Sequence, residues 1–263
     1  LALMKGKDSL AVFTDVVSPW NLTSRVFKQI FSLQSVGVKG NWSNYTLFPA
    51  VFKKAGYHVS FLSNQFPYGI NYTPDWTNNL SGGFFLNHPQ LNKQMFDYRN
   101  TNIHEYDEEL LNDYKNIGIK EKSQLIIFHL LGQHFQYSLR CKSNMKRFGT
   151  NDYPRTDLTK EEKQTIADYD NATLYNDYVL SKIIEQFKDK EAIVIYLSDH
   201  GEDCYGKDAQ MAGRLTEAEQ IDIKKYHEEF EIPFWIWCST TYRRKHHKIF
   251  IETLQARNNK FMT

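Results

Sequence analysis

The sequence has little of what marks several protein classes. Its 32 Lys and Arg nearly balance 31 Asp and Glu, so the formal net charge of +1 gives no electrostatic case for a nucleic-acid partner. Three cysteines, Cys141, Cys204 and Cys238, are too few and too scattered for a disulfide framework. No apolar run reaches membrane-spanning length, and no repeat or low-complexity linker divides the chain. We therefore predict one domain covering residues 1–263 with one bulky, aromatic core.

Apolar runs of strand length alternate with helix-like patterns along the chain. Such alternation predicts an α/β fold, with a mainly parallel sheet sandwiched by helices. The predicted helices begin near Thr23, near Thr159, and within residues 46–54 and 105–116. Residues 67–99 lack periodicity and are predicted to form a long surface excursion. The predicted strands lie at residues 10–15, 59–63, 125–131, 192–197 and 232–237.

Residues 168–203 are the most informative stretch. An amphipathic helix and a continuous apolar strand, expected to be covered on both faces, lead into Asp199-His200-Gly201-Glu202. Because ligands of open α/β sheets bind outside the carboxyl ends of strands, Asp199 and His200 are predicted metal ligands. The alternative is a plain turn, in which the Asp is a cap, the Gly takes a positive φ and the His is exposed.

Two other strand ends carry candidate chemistry. Thr23 lies where a helix begins after the first strand. The unpaired N–H groups at a helix N-terminus favour an anion, and a metal-bound hydroxyl at that place could act as an alkoxide nucleophile. The alternative is that Thr23 is only an N-cap. His134 follows the middle strand in Gly132-Gln133-His134, and by itself it is an ordinary loop histidine. Cys204 is near Asp199 in the sequence, and a metal ligand, a reactive thiol and a passive side chain all remain open for it.

The chain resembles the periplasmic catalytic domain of bacterial phosphoethanolamine transferases that modify lipopolysaccharide, within the alkaline phosphatase and sulfatase superfamily. It is more similar to this branch than to arylsulfatases, because the Cys/Ser-x-Pro-x-Arg context of their formylglycine is absent around Thr23. The resemblance implies an alkaline phosphatase-like fold, truncated at both ends. The segments that carry it are FTDVVSPWNLTSRVFKQIFS (13–32), GGFFLNHPQLNKQMFDYRN (82–100), YDEELL (106–111), HLLGQHFQY (129–137), YDNATLYNDYVLSKII (169–184), YLSDHGED (196–203) and EIPFWIW (231–237).

The resemblance also implies roles for individual residues. Thr23 would be the catalytic nucleophile and, with Asp199 and His200, a zinc ligand. His134 would contact the substrate phosphate or a second zinc. The family often has another active-site histidine where this chain has Gly213-Arg214-Leu215, which leaves His227 as the nearby candidate for substrate binding. A glutamate zinc ligand of the family has no counterpart before Thr23, and we expect its strand upstream of Leu1.

The reaction implied by the resemblance is transfer of phosphoethanolamine from phosphatidylethanolamine to the lipid A or core of lipopolysaccharide. It would run through a covalent Thr23 intermediate, in the periplasmic domain of an inner-membrane protein whose membrane anchor precedes this segment. One alternative is a metal-dependent phosphodiesterase or sulfatase-like hydrolase that uses water as acceptor. The other is an inactive fragment that lacks a metal ligand.

Overall fold

Two three-stranded sheets organise the part of the chain that a computed structural model describes, residues 9–35, 37–65, 93–118, 123–206, 212–214, 227–256 and 261–262. The chain divides into two compact units. The first unit comprises Leu1–Asn21 and Ser143–Thr263, and the second unit comprises Leu22–Lys142. The prediction of a single catalytic domain over residues 1–263 stays a prediction.

The second unit contains a parallel sheet, as the sequence predicts. Its strands are β3 (His58–Ser63), β4 (Tyr98–Arg99) and β5 (Gln124–His129), in the order β4-β3-β5. Both neighbours run parallel to β3, and Ser63 lies opposite His129 at the carboxyl ends. The helices are α1 (Thr23–Phe31), α2 (Phe48–Lys54) and α3 (Leu110–Asn116).

Aromatic side chains dominate the core of this unit. The apolar spacing of α1 places Phe27 and Phe31 inside, where they pack with Phe61, Phe96 and Met95. Phe61 and Phe96 stack with ring centroids 5.0 Å apart. Burial of side chains of this size, at roughly 25 cal/mol per Å² of apolar surface, is what fixes α1 against the sheet.

The first unit is built around an antiparallel sheet. Strands β1 (Leu10–Phe13), β6 (Ile193–Leu197) and β9 (Phe234–Cys238) have the order β1-β9-β6, and β9 is antiparallel to both neighbours. The remaining strands form two short pairs. These are β2 (Val16–Val17) with β10 (Phe261–Met262), and β7 (Asp203–Cys204) with β8 (Ala212–Gly213).

The long helix of this unit, α4 (Lys160–Phe187), begins where the sequence predicts. Thr159 is its N-cap and forms a capping box with Glu162, which satisfies otherwise free N–H groups of the first turn. Two shorter helices, α5 (Thr240–Lys245) and α6 (His247–Ala256), follow β9.

Two sequence predictions need correction. We expected the strand before Asp199 to be covered on both faces, but Ile193 is 43% and Ile195 58% exposed. Among the described residues β6 pairs with β9 alone, so it forms a sheet edge rather than an interior strand. The helix expected over residues 105–116 is a 3-10 turn (Asp107–Glu109) followed by α3. The backbone N–H of Tyr106 donates to the Glu109 carboxylate at 3.2 Å in that turn.

Most of the predicted surface excursion, residues 67–92 of 67–99, lies outside the described residues. Among the described helices, none combines the length and apolarity needed to cross a membrane.

Candidate active-site residues

Asp199 and His200 lie side by side directly after β6, as predicted. The Asp199 Oδ2 is 3.3 Å from the His200 Nε2, and the His200 side chain is 10% exposed. Ring nitrogen Nδ1 is 2.8 Å from the Gly201 carbonyl oxygen, and Arg214 Nη1 is 2.5 Å from Nε2. A guanidinium group only donates, so Nε2 accepts and Nδ1 carries the proton that it donates to Gly201. In this tautomer the Nε2 lone pair accepts from Arg214 and lies beside the Asp199 carboxylate, and an imidazole nitrogen together with a carboxylate is a donor set that zinc takes in proteins.

The alternative of a plain turn is wrong for this segment. It requires an exposed histidine and a glycine with positive φ, whereas His200 is largely buried and Gly201 is not among the positive-φ residues. Glycine is needed here because of a close approach. A Cβ on Gly201 would lie 2.0 Å from the Glu228 carbonyl oxygen and 2.7 Å from that of Glu231.

The backbone of this loop is held by uncharged groups. The Ser18 hydroxyl donates to the Asp199 carbonyl oxygen at 2.5 Å. The Ser198 hydroxyl donates to the His200 carbonyl oxygen at 2.6 Å, and the Gly201 N–H donates to the backbone carbonyl oxygen of Glu229 at 2.9 Å. The segment after β2 therefore supports the loop after β6 within the first unit.

His227 belongs to the turn that packs against Gly201. Its side chain is 51% exposed, and its Nδ1 lies 3.2 Å from the Glu231 carboxylate. The same turn is anchored by Glu229, which is 2% exposed and accepts a hydrogen bond of 2.7 Å from Asn21 Nδ2. The structure thus brings the backbone around His227 next to the loop of Asp199 and His200.

Arg214 stands where the sequence departs from the family pattern. Besides its contact with His200, its Nη1 donates to the Asn21 carbonyl oxygen at 2.9 Å, and its Nε lies 3.6 Å from Glu202. Sequence reasoning noted this position only for lacking a histidine. The sequence signal that could have indicated its role was a basic residue between the Asp-His-Gly motif and the last strand.

Cys204 is a passive thiol by its environment. Burial, together with the charges of Asp170, Glu202 and Asp203, raises the pKa of the Cys204 thiol to about 12. A reactive cysteine needs the opposite surroundings, partly exposed and electropositive.

Thr23, in the second unit, is the first residue of α1. The N-cap position belongs to Leu22, which makes no side-chain cap, and Arg25 and Val26 donate to the Leu22 carbonyl oxygen. The alternative that Thr23 is the N-cap is therefore wrong. The first turn of α1 carries no acidic residue, so its N–H groups remain suited to an anion.

His134 lies in the turn that follows β5, and its side chain is exposed. Its backbone N–H donates to Leu131 at 3.0 Å. The carboxylate of Asp107 accepts from the N–H groups of Leu131 and Gly132 in the same turn. In the sequence analysis Asp107 appears only within the segment YDEELL, and its role as an acceptor for backbone N–H groups of this turn was missed.

Thr23 and His134 thus belong to the second unit, and Asp199, His200 and His227 belong to the first. Among the described residues, no cluster of three or more His, Cys, Asp or Glu side chains is arranged to hold a metal ion.

Known proteins resemble this chain over nearly its whole length. Phosphoethanolamine transferase EptC of Escherichia coli is 29% identical over 265 residues, which are 97% of this chain and 43% of that protein. Kdo(2)-lipid A phosphoethanolamine 7''-transferase of Escherichia coli is 32% identical over 118 residues, 45% of this chain and 20% of that protein. The chain thus spans less than half the length of these relatives.

A solved structure shows the fold. The crystal structure of the C-terminal periplasmic domain of EcEptC from Escherichia coli, in complex with Zn, superposes with a TM-score of 0.79 at 26% identity. The match covers 99% of this chain and 70% of that one. The predicted α/β fold and the resemblance to phosphoethanolamine transferases are confirmed. Residues 2–259 match the family described as Sulfatase, and the chain therefore belongs to the sulfatase family.

Proposed function

We propose that the chain transfers phosphoethanolamine from phosphatidylethanolamine to the lipid A or core of lipopolysaccharide. The relatives named as phosphoethanolamine transferases support the transferred group, and the lipid A transferase supports the acceptor class. The relative solved as a periplasmic domain supports a periplasmic site in an inner-membrane protein.

The observation that carries this proposal is the donor pair of the first unit. Asp199 presents a carboxylate 3.3 Å from His200 Nε2, a nitrogen that accepts from Arg214 in this structure, and the relative solved with Zn makes zinc the proposed metal. We assign Asp199, His200 and Thr23 as its ligands. Zinc bound there would make the Thr23 hydroxyl more acidic and offset charge on the phosphoryl group.

The reaction has two steps. The Thr23 Oγ1 forms a bond to phosphorus while the phosphorus–oxygen bond to the diacylglycerol breaks, and the diacylglycerol leaves with a proton. Phosphoethanolamine then remains as an ester of Thr23. An oxygen of lipopolysaccharide forms the second bond to phosphorus, the bond to Thr23 breaks, and the threonine hydroxyl regains a proton.

Two histidines serve these steps in the proposal. His134, exposed on its turn after β5, donates to the substrate phosphate or protonates the leaving oxygen. His227, half exposed beside the Asp-His-Gly loop, contacts the substrate.

The test is the covalent intermediate. The protein is incubated with zinc and fluorescent phosphatidylethanolamine, and intact mass and peptide mapping then locate phosphoethanolamine. We expect the adduct on Thr23, and its chase onto added lipopolysaccharide. Thr23→Val removes the hydroxyl with little change of shape and should abolish the adduct, whereas Thr46→Val, at an exposed threonine before α2, should not.

Three results would change the proposal. An adduct that survives Thr23→Val contradicts the nucleophile. Free phosphoethanolamine that appears equally with and without lipopolysaccharide indicates a hydrolase that uses water. Absence of both adduct and release, in protein that binds zinc, indicates an inactive chain.

A further inference from the structure

The turn that carries His134 is held from one side by a buried carboxylate. Asp107 is 7% exposed. Its Oδ1 accepts from the Leu131 N–H at 3.0 Å and from Asn64 Nδ2 at 2.9 Å, and its Oδ2 accepts from the Gly132 N–H at 2.8 Å. Burial raises the pKa of Asp107, and these three hydrogen bonds and the Arg140 charge oppose that rise. One side chain, that of Asp107, therefore accepts from the backbone N–H groups of both Leu131 and Gly132.

The carbonyl side of the same turn is held by a cation. Arg140 Nε donates to the His134 carbonyl oxygen at 3.2 Å, and Nη2 donates to that of Phe135 at 3.1 Å. Asp107 and Arg140 also line one small cavity together with Leu131 and Gly132. An anion on the N–H groups and a cation on the carbonyl groups thus bracket residues 131–135.

The backbone enters the left-handed region at either end of this turn. Gly132 has φ +54° and Gln136 has φ +67°, both in the left-handed region. A non-glycine residue there is strained, and it persists only where its surroundings determine it. The hydrogen bonds from Asp107 and Arg140 hold the backbone on either side of His134.

We infer that Asp107 and Arg140 are positioning residues that fix the orientation of the His134 side chain. Neither needs to touch the substrate, because each acts through the backbone of the turn. The inference deepens the proposed function and rests on it for the consequence in catalysis. Misplacement of a catalytic group by about 1 Å costs up to about a hundredfold in rate.

The first experiment reads the turn itself. Asp107→Asn keeps the shape of the side chain but gives one of the two backbone N–H groups an NH2 instead of an acceptor oxygen. Amide exchange at Leu131 and Gly132 should become faster, and the His134 ring resonance should shift or broaden by NMR. Arg140→Lys keeps the charge but loses the two-pronged contact, and it should disturb the same resonance. The matched controls Glu108→Gln and Lys142→Gln alter a neighbouring ion pair and should leave both signals unchanged.

The second experiment reads the rate with fluorescent phosphatidylethanolamine and lipopolysaccharide. Asp107→Asn should lower kcat by about tenfold while KM stays within about twofold. In a His134→Ala background Asp107→Asn should lower kcat by less than about twofold, because Asp107 acts on the rate by orienting the imidazole that this background lacks. A side chain that only stabilises the fold would lower kcat equally in both backgrounds.

The two experiments separate the two claims. An unchanged His134 resonance in folded Asp107→Asn and Arg140→Lys overturns the positioning role, and so does an equal loss of kcat in both backgrounds. A changed resonance with no effect of His134→Ala on transfer leaves the positioning role intact and refutes the catalytic role of His134. If Asp107→Asn does not fold, Arg140→Lys carries both tests.

Discussion

The loop after β6 and the loop after β5 both follow a strand and both carry a histidine of the candidate site, a proposed metal ligand in one and a proposed catalytic residue in the other, yet their backbones are held by different means. Serine hydroxyls and backbone carbonyl groups hold Asp199 and His200, and Gly201 packs directly against the next turn. In the second unit, the opposite charges of Asp107 and Arg140 hold the turn of His134.

The difference shows how each loop responds to change. Neutral clamps keep their strength over a wide pH range, but they depend on close fit, so added volume disturbs them most. Buried charged groups that hold a backbone fail most when a charge is removed or an unpaired charge is added. The four predictions that follow test this contrast, from the largest expected effect to the smallest.

Added volume should break the loop after β6. In Gly201→Ala the new Cβ would meet the Glu228 carbonyl oxygen at 2.0 Å, and the backbone of both segments has to shift. We expect a loss of about 3 kcal/mol in the free energy of unfolding, measured by urea denaturation. At Gly149 a Cβ meets nothing within 4 Å, so Gly149→Ala should stay within about 0.5 kcal/mol of the original protein. Equal effects of the two changes would contradict the close-approach argument.

Added charge should break the loop after β5. Asn64 is 1% exposed and donates to Asp107 at 2.9 Å, so Asn64→Asp places two carboxylates face to face. We expect a loss of about 2 kcal/mol at pH 7. The pair raises the carboxyl pKa in the folded state above that of the unfolded chain. The penalty is therefore greatest above the folded pKa and shrinks as the pH falls toward about 4. Denaturation at several pH values would show it, and a pH-independent penalty would contradict it.

Loss of one neutral clamp should have a smaller effect. Ser18→Ala removes the hydroxyl that donates to the Asp199 carbonyl oxygen, at an expected cost of about 1 kcal/mol. Calorimetric titration should also show weaker zinc binding, because the ligand loop is less fixed. The exposed Ser143 supplies the control, and Ser143→Ala should change neither quantity.

The smallest effect concerns the thiol beside the loop after β6. With its pKa raised to about 12, Cys204 should be alkylated at pH 8 far more slowly than a free cysteine, as followed by mass spectrometry of labelled peptides. The raised pKa stabilises the folded protein fully below the ordinary thiol value, and that contribution disappears as the pH rises toward 12. Rapid labelling in folded protein would contradict the buried environment.

Much of the fold was accessible from sequence because periodicity reports burial. The apolar spacing of α1 and the amphipathic pattern within α4 predicted these helices, and five apolar runs predicted the main strands. The burial of β6 was predicted wrongly, because an apolar run shows that a strand prefers a core and not whether neighbours cover both of its faces. The 3-10 turn before α3 was also missed, since a side-chain hydrogen bond decides it.

The candidate site divides in the same way. The sequence by itself determined the residue types that matter, Thr23 at a helix start and Asp199 with His200 after a strand, because chemistry and strand-end position are local properties. Only the tertiary structure decided the tautomer of His200, the reason for Gly201 and the bracket around His134. Those depend on Arg214, Glu228 and Asp107, which are distant along the chain from the loops that they contact, and on the way the chain turns back to bring Arg140 to the His134 carbonyl group.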